Sequence, residues 1–214
     1  MIVTGSNLKE FKVAPVGNHL ARLYRVIDLG TQMREWEGKV NMTRRVKFFW
    51  ELHGEDEKGN PLTMDDGKPM IQSREYTWSL HEKSALRQHL EAWRGVGFTD
   101  EELRGFDIKK VLGHFCMLTI AHRISNGKTY ADVKNVSSVP SIIKKAGLPA
   151  GVNNTMIFTF DKFDPVMFES LSEWLKAIIV KSSEYRALQQ PTTSAQYIAA
   201  SGGSMADLED DVPF

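Results

Sequence analysis

Two short runs place positive charge and aromatic rings on one side of an extended chain. In Arg45-Val46-Lys47-Phe48-Phe49, the residues Arg45, Lys47 and Phe49 alternate with apolar Val46 and Phe48. Upstream, Arg22 and Tyr24 occupy the corresponding phase of another run. Successive side chains of a strand point to opposite faces, so each run offers one face of cations and rings. Between them Arg34, Trp36, Lys39 and Arg44 stand in a polar stretch, and from Arg22 to Lys47 there are seven basic residues against three acids. Farther on, Arg123, Lys128 and Tyr130 flank the pair Asn126-Gly127. Cations neutralise phosphates, and flat rings stack on unpaired bases whatever the base. Together these residues have the chemistry of a surface for a single-stranded polynucleotide.

The charge distribution agrees with that reading. The formal net charge of the 214 residues is zero, from 27 basic and 27 acidic side chains. All the basic residues lie at or before Arg186, whereas Asp207, Glu209, Asp210 and Asp211 lie after it. A basic body therefore carries an acidic tail, which suits a body that meets a polyanion and a tail that resembles one. With 42% hydrophobic and 25% charged residues the composition is that of a globular chain with a core. The single cysteine, Cys116, excludes an intramolecular disulfide and a cysteine-based zinc site. No basic-then-apolar leader opens the sequence, and no apolar run approaches the roughly 20 residues that span a bilayer. The expected setting is the cytoplasm of a bacterial host, with no membrane partner.

The elements that must position these residues are mostly strands. Period-two patterning predicts strands over about His19–Leu29, with a bulge or shortening at Arg25, then Arg44–Leu52, Arg74–Leu80, Val111–Arg123 and Thr129–Val139. Asn126-Gly127 predicts a tight hairpin turn. Gly30 to Thr43 reads as a loop between the first two strands, and His53–Gln72 as a surface loop or hairpin. Leu86, Leu90 and Trp93 form a helical stripe between the third and fourth strands, and Thr99 with Glu102 forms a capping box for a second short helix. Asp164-Pro165 starts a C-terminal amphipathic helix carrying Phe168, Leu171, Leu175 and Ile178/Ile179 and ending before about Ser183. Phe48, Trp50, Tyr76, Trp78, Trp93 and Phe115 are expected in the core, and Trp36 on the surface. Three strands, a helix and two strands is the order of the OB-fold, so the expected class is mainly β (α+β): a five-stranded OB-fold barrel with a helix between strands 3 and 4, a C-terminal helix and a disordered tail. The expected organisation is an OB-fold domain over residues 1–186, a charge-free flexible linker over 187–206 and an acidic tip over 207–214.

The tip, Asp207-Leu-Glu-Asp-Asp-Val-Pro-Phe214, reads as a portable ligand. Phe214 is suited to a pocket, its expected terminal carboxylate to an Arg or Lys, and Asp210 and Asp211 to a basic rim. Asp210-Asp-Val-Pro-Phe214 resembles the acidic tip of bacterial single-stranded DNA-binding proteins. The body instead resembles the single-stranded DNA-binding proteins of bacteriophages and related mobile elements. The resemblance rests on Ala21-Arg-Leu-Tyr-Arg-Val-Ile-Asp-Leu-Gly30, Tyr76-Thr-Trp-Ser-Leu-His-Glu-Lys-Ser84, Trp93-Arg-Gly95, Leu112-Gly-His-Phe-Cys116 and Trp174-Leu-Lys176, across roughly residues 15–186. It implies an OB-fold coating protein without catalysis. It also implies a tip, at Asp210, Asp211, Val212, Pro213 and Phe214, that recruits replication, recombination and repair enzymes. The DNA-contact residues rest on strand phase alone.

Enzymatic chemistry finds little footing. His114 and His122 lie eight positions apart, about 27 Å along a strand, too far to share a metal locally. Asp65-Asp66 with Asp161 and Asp164 would suit a two-metal nuclease, but Asp164 is better explained as a helix cap. No phosphate-binding glycine loop occurs, and Cys116 sits in an apolar strand as an inert thiol. No cofactor or metal is expected, and the oligomeric state, monomer or dimer, is left open. The rival readings are a strand-annealing recombination protein and a metal-dependent nuclease.

Overall fold

The computed structural model describes residues 12–36 and 38–190. Its centre is a six-stranded sheet of β1 (Gly17–Trp36), β2 (Lys39–His53), β3 (Ile71–Thr77), β4 (Phe115–Ser125), β5 (Lys128–Ser137) and β6 (Met156–Phe158). The strand order is β3-β2-β1-β4-β5, all antiparallel, with β6 added parallel to β1. The helices are α1 (Ala85–Arg94), α2 (Asp100–Arg104), α3 (Ser141–Ala146), α4 (Pro165–Glu169), α5 (Glu173–Ile179) and α6 (Ser183–Gln189). The protein is thus mainly β, an antiparallel sheet with several helices packed on it.

The main core lies on one face of the sheet. Val46, Phe48, Trp50 and Leu52 alternate along β2 into it, joined by Ala21, Leu23 and Val26, by Cys116, Leu118 and Ile120, and by Leu86, Leu90 and Trp93 of α1. Of the rings expected there, Phe115 and Trp78 are only half-buried. Ser84 caps α1, its Oγ accepting from Arg87 N–H, and the indole of Trp93 donates to the Phe115 carbonyl at 2.7 Å. The helix packs against both β3 and β5, the two ends of the strand order. No ladder joins those ends among the described residues. Instead the Arg74 guanidinium crosses from β3 and donates to the Val133 and Lys134 carbonyls of β5.

β1 differs from its expected form in two ways. It runs on to Trp36, because residues 31–36 pair with residues 39–44 in a long two-stranded arm. The expected loop is therefore a β-ribbon, which neither β3 nor β4 flanks. The register also slips between Leu23 and Arg25 and again between Asp28 and Gly30. The first slip falls where a bulge or a shortening of the strand was expected, at Arg25, and it reverses the strand's phase. Ala21 and Leu23 enter the main core, while Ile27 and Leu29, expected beside them, enter a second cluster on the opposite face.

That second cluster is made by the C-terminal segment, which forms three short helices rather than one. Ser170 turns its hydroxyl back to the Met167 carbonyl, and Ser182 accepts from Tyr185 N–H to start α6. Such serines compete with helix propagation. Phe168, Leu171, Leu175 and Ile179 pack over Tyr24, Ile27, Leu29 and Phe49. The helix α6, unforeseen in the sequence, is tied to β1: both Glu184 carboxylate oxygens accept from Thr31, at 2.6 Å from its N–H and 2.7 Å from its hydroxyl. Gly30 makes this approach feasible, since it has φ +70° and a Cβ there would lie 2.5 Å from Ser182 Cβ. The segment 187–189 belongs to α6 rather than to a linker; the rest of the expected linker, from 191, and the tip 207–214 lie outside the described residues.

Candidate nucleic-acid interface

The face of β2 that carries Arg45, Lys47 and Phe49 turns away from the main core. Along it Arg45 stands opposite Thr77, Lys47 opposite Glu75, and Phe49 opposite Ser73. Arg45 donates to Glu75 at 2.8 Å and to the Thr77 hydroxyl at 2.7 Å. Arg34, from the arm, reaches the same Glu75 carboxylate at 2.7 Å and stays 59% exposed. One carboxylate thus gathers two guanidiniums, linking arm to sheet and leaving excess positive charge. Lys47 adjoins them, half-buried; burial lowers its ammonium from the usual lysine range, and Glu75 opposes the shift. Lys39 is exposed and pairs with Trp36 at the end of the arm. The other face of the arm bears exposed Met33, Val40 and Met42.

Four of the residues expected on this surface are engaged by other groups of the protein, two rings by burial and two guanidiniums by buried carboxylates. Tyr24 and Phe49 are only 6% and 4% exposed, inside the second cluster. Burial raises the Tyr24 phenol above its ordinary value, and the Arg25 guanidinium covers the Phe49 ring at 4.2 Å. They offer no open ring because the C-terminal helices occupy the face that strand phase alone left free. Arg22, on the central strand and only 15% exposed, donates to Glu51 at 3.0 Å and to the Gly113 and Asn153 carbonyls at 3.1 Å. Arg44 binds Asp28, whose side chain is wholly buried, and that hydrogen bond raises the arginine's pKa further. These two cations are partners of buried carboxylates, which burial without a partner would heavily disfavour.

Glu51 is the hub of the first pair. Its carboxylate accepts from Val152 N–H at 3.0 Å, from Asn153 N–H at 2.7 Å and from the Asn153 amide at 2.6 Å. Burial pushes its pKa up, but these bonds and Arg22 outweigh that and bring it down to about 2. The contact fastens the segment before β6 onto the sheet.

The β4–β5 hairpin forms the second cationic group. Its turn has the expected geometry, with φ +50° at Asn126 and +70° at Gly127. Arg123 stands opposite Tyr130 and lies 5.0 Å over its ring, which is 43% exposed, while bonding Asp132 at 3.0 Å. Lys128 is exposed beside the turn. β4 pairs with Gly17–Arg22, and its last residues pass beyond Gly17, whereas the β1–β2 arm extends from the other end of β1. The structure therefore holds two separate cationic groups rather than one.

One aromatic escaped the strand-based reading. Trp174 of α5 is 47% exposed, with Lys47 Nζ 4.9 Å from its ring centre and the Phe49 ring 6.3 Å away. The available signal was its place beside, rather than within, the Phe168–Leu171–Leu175 apolar stripe. Several of the residues weighed for enzymatic chemistry have structural partners: Asp65 pairs with Lys12, Asp66 with Lys68, and Asp164 caps α4. His122 hydrogen-bonds the Ala14 carbonyl, and burial drives the Cys116 thiol far above its ordinary pKa. Among the described residues no three His, Cys, Asp or Glu side chains group so as to hold a metal ion, and no helix there is long and apolar enough to cross a membrane.

Fold and surface together define a mainly β protein with a cationic strand face and a helical cap. Compared with known proteins, the sequence matches no family model and no curated protein.

Proposed function

We propose that the protein binds single-stranded DNA without sequence preference, protecting it during replication, recombination and repair, and that it performs no catalysis. The carrying observation is the outer face of β2 with its arm. There Arg34, Lys39, Arg45 and Lys47 lie along one extended surface with a half-exposed tryptophan beside it. Such a surface has cations for phosphates and a ring for bases. The fold reading that goes with it is an OB-type barrel, supported by the order β3-β2-β1-β4-β5, by α1 lying against both end strands, and by the Arg74 bridge between them. In OB-folds a single strand crosses the second and third strands between the first-to-second and fourth-to-fifth connections. The two cationic hairpins occupy those connections here. Asp210, Asp211, Val212, Pro213 and Phe214 form the element that captures partner enzymes, a role that rests on the sequence.

The test is a fluorescence-anisotropy titration with equal lengths of single-stranded and duplex DNA. The expected result is markedly tighter binding of the single strand, weakening steeply with salt. Equal affinity for both overturns the proposal. A strand-annealing role is the second reading, favoured by the exposed Met33, Val40 and Met42 on an arm with unpaired edges, which suits self-assembly. Rings or filaments on DNA in a size measurement mark that role; a stoichiometric soluble complex marks the first.

A further inference from the structure

Trp174 is held in the open by a scaffold that fixes its position. Its neighbours on α5, Leu175 and Ile179, are fully buried, and Phe168 and Leu171 anchor the preceding turn. Glu184 fastens the following helix to Thr31, and Gln32 donates to the Ile178 carbonyl at 3.1 Å. The ring therefore cannot retreat into the core without displacing the cap. A tryptophan nearly half exposed leaves a large apolar area in water, which marks a contact surface when it adjoins specific polar groups. Those groups are cationic: Lys47 lies 4.9 Å from the ring centre, and Arg45 and Arg34 follow along the same strand face through Glu75.

We propose that Trp174 is a base-stacking residue, and that α5 forms one wall of the path a single strand takes along β2. The inference rests on the proposed single-strand binding and adds to it a contact from outside the sheet. A planar base suits the ring, and its flanking phosphate suits Lys47 and Arg45. An apolar peptide would gain the ring but leave those cations unmatched.

The experiment measures affinity of the full chain for a labelled oligothymidylate and for an abasic strand of the same length, in wild type, Trp174→Ala and Trp174→Phe. Stacking on one ring predicts a roughly 5- to 150-fold loss for Trp174→Ala with oligothymidylate, and a loss of no more than a few-fold for Trp174→Phe. On the abasic strand wild type and Trp174→Ala are expected to bind alike. Unchanged oligothymidylate binding by Trp174→Ala overturns the assignment. So does an equal loss on both strands, because the residue would then act by placing Lys47. Should Trp174→Ala fail to fold, the Trp174→Met variant, which keeps more apolar bulk than alanine without a ring, makes the same comparison. Wild-type protein that ignores oligothymidylate altogether defeats the broader function, an outcome distinct from both.

Discussion

The two faces of the β1–β2 pair obey the same alternation and meet different fates. The inner face is apolar and buried along the body of the sheet, from Leu23 and Val26 to Val46, Phe48 and Trp50. The outer face alternates cations and rings, but its lower part, Tyr24 and Phe49, lies under the C-terminal cap, while farther up Arg34 and Lys39 face water and Arg45, only 15% exposed, lies against Glu75. Strand phase decides which side a residue points to. What else packs on that side decides whether it becomes structural or available. The cations follow the same division: Arg22 and Arg44 complete buried carboxylates, and Arg34 and Lys39 remain on the surface.

The largest expected effect breaks the covered half. Phe49→Ala should cost about 3–5 kcal/mol of stability, the usual range for a buried phenylalanine. Chemical denaturation measures this, and a fully stable variant with weakened DNA binding would return Phe49 to the open surface. A somewhat smaller effect concerns Glu51. Its folded pKa is about 2, depressed from 4.5, so its contribution is present above about pH 5 and is lost as pH falls toward 2. That shift corresponds to about 3 kcal/mol. Stability measured across this range should fall accordingly in wild type and stay flatter in Glu51→Gln, which is also less stable near neutrality because Arg22 loses its partner. On the displayed half, Arg34→Ala or Lys39→Ala should leave stability within about 0.5 kcal/mol. Each should weaken single-strand binding a few-fold and reduce the salt slope by about 0.7. Unchanged slopes would remove the arm from the interface. Least of all should removal of residues 207–214 affect DNA affinity, while pull-downs with replication and repair enzymes lose their partners.

Features written in local sequence proved readable. Asn126-Gly127 gave its turn, Thr99 and Glu102 formed both halves of their capping box, Asp164 capped a helix, and Leu86, Leu90 and Trp93 formed the buried stripe of α1. The arm was hidden because residues 31–36 pair with residues 39–44 and not with a core, so no apolar alternation announces them. The outer cluster was hidden because it depends on register slips at Arg25 and Gly30 and on helices more than a hundred residues away. Tyr24 and Phe49 look identical to a displayed aromatic until that cap is in place. Trp174 was missed for the converse reason, since a helix near the C-terminus offers no strand phase linking it to Lys47.

Hydrogen–deuterium exchange on the full chain, with and without saturating oligothymidylate, tests the division of the outer face most directly. The account predicts slowed exchange in residues 31–47, in β3 and in α5, with α1 and α2 on the opposite side unchanged. Protection confined to α1 and α2, or absent throughout while DNA is bound, would contradict it.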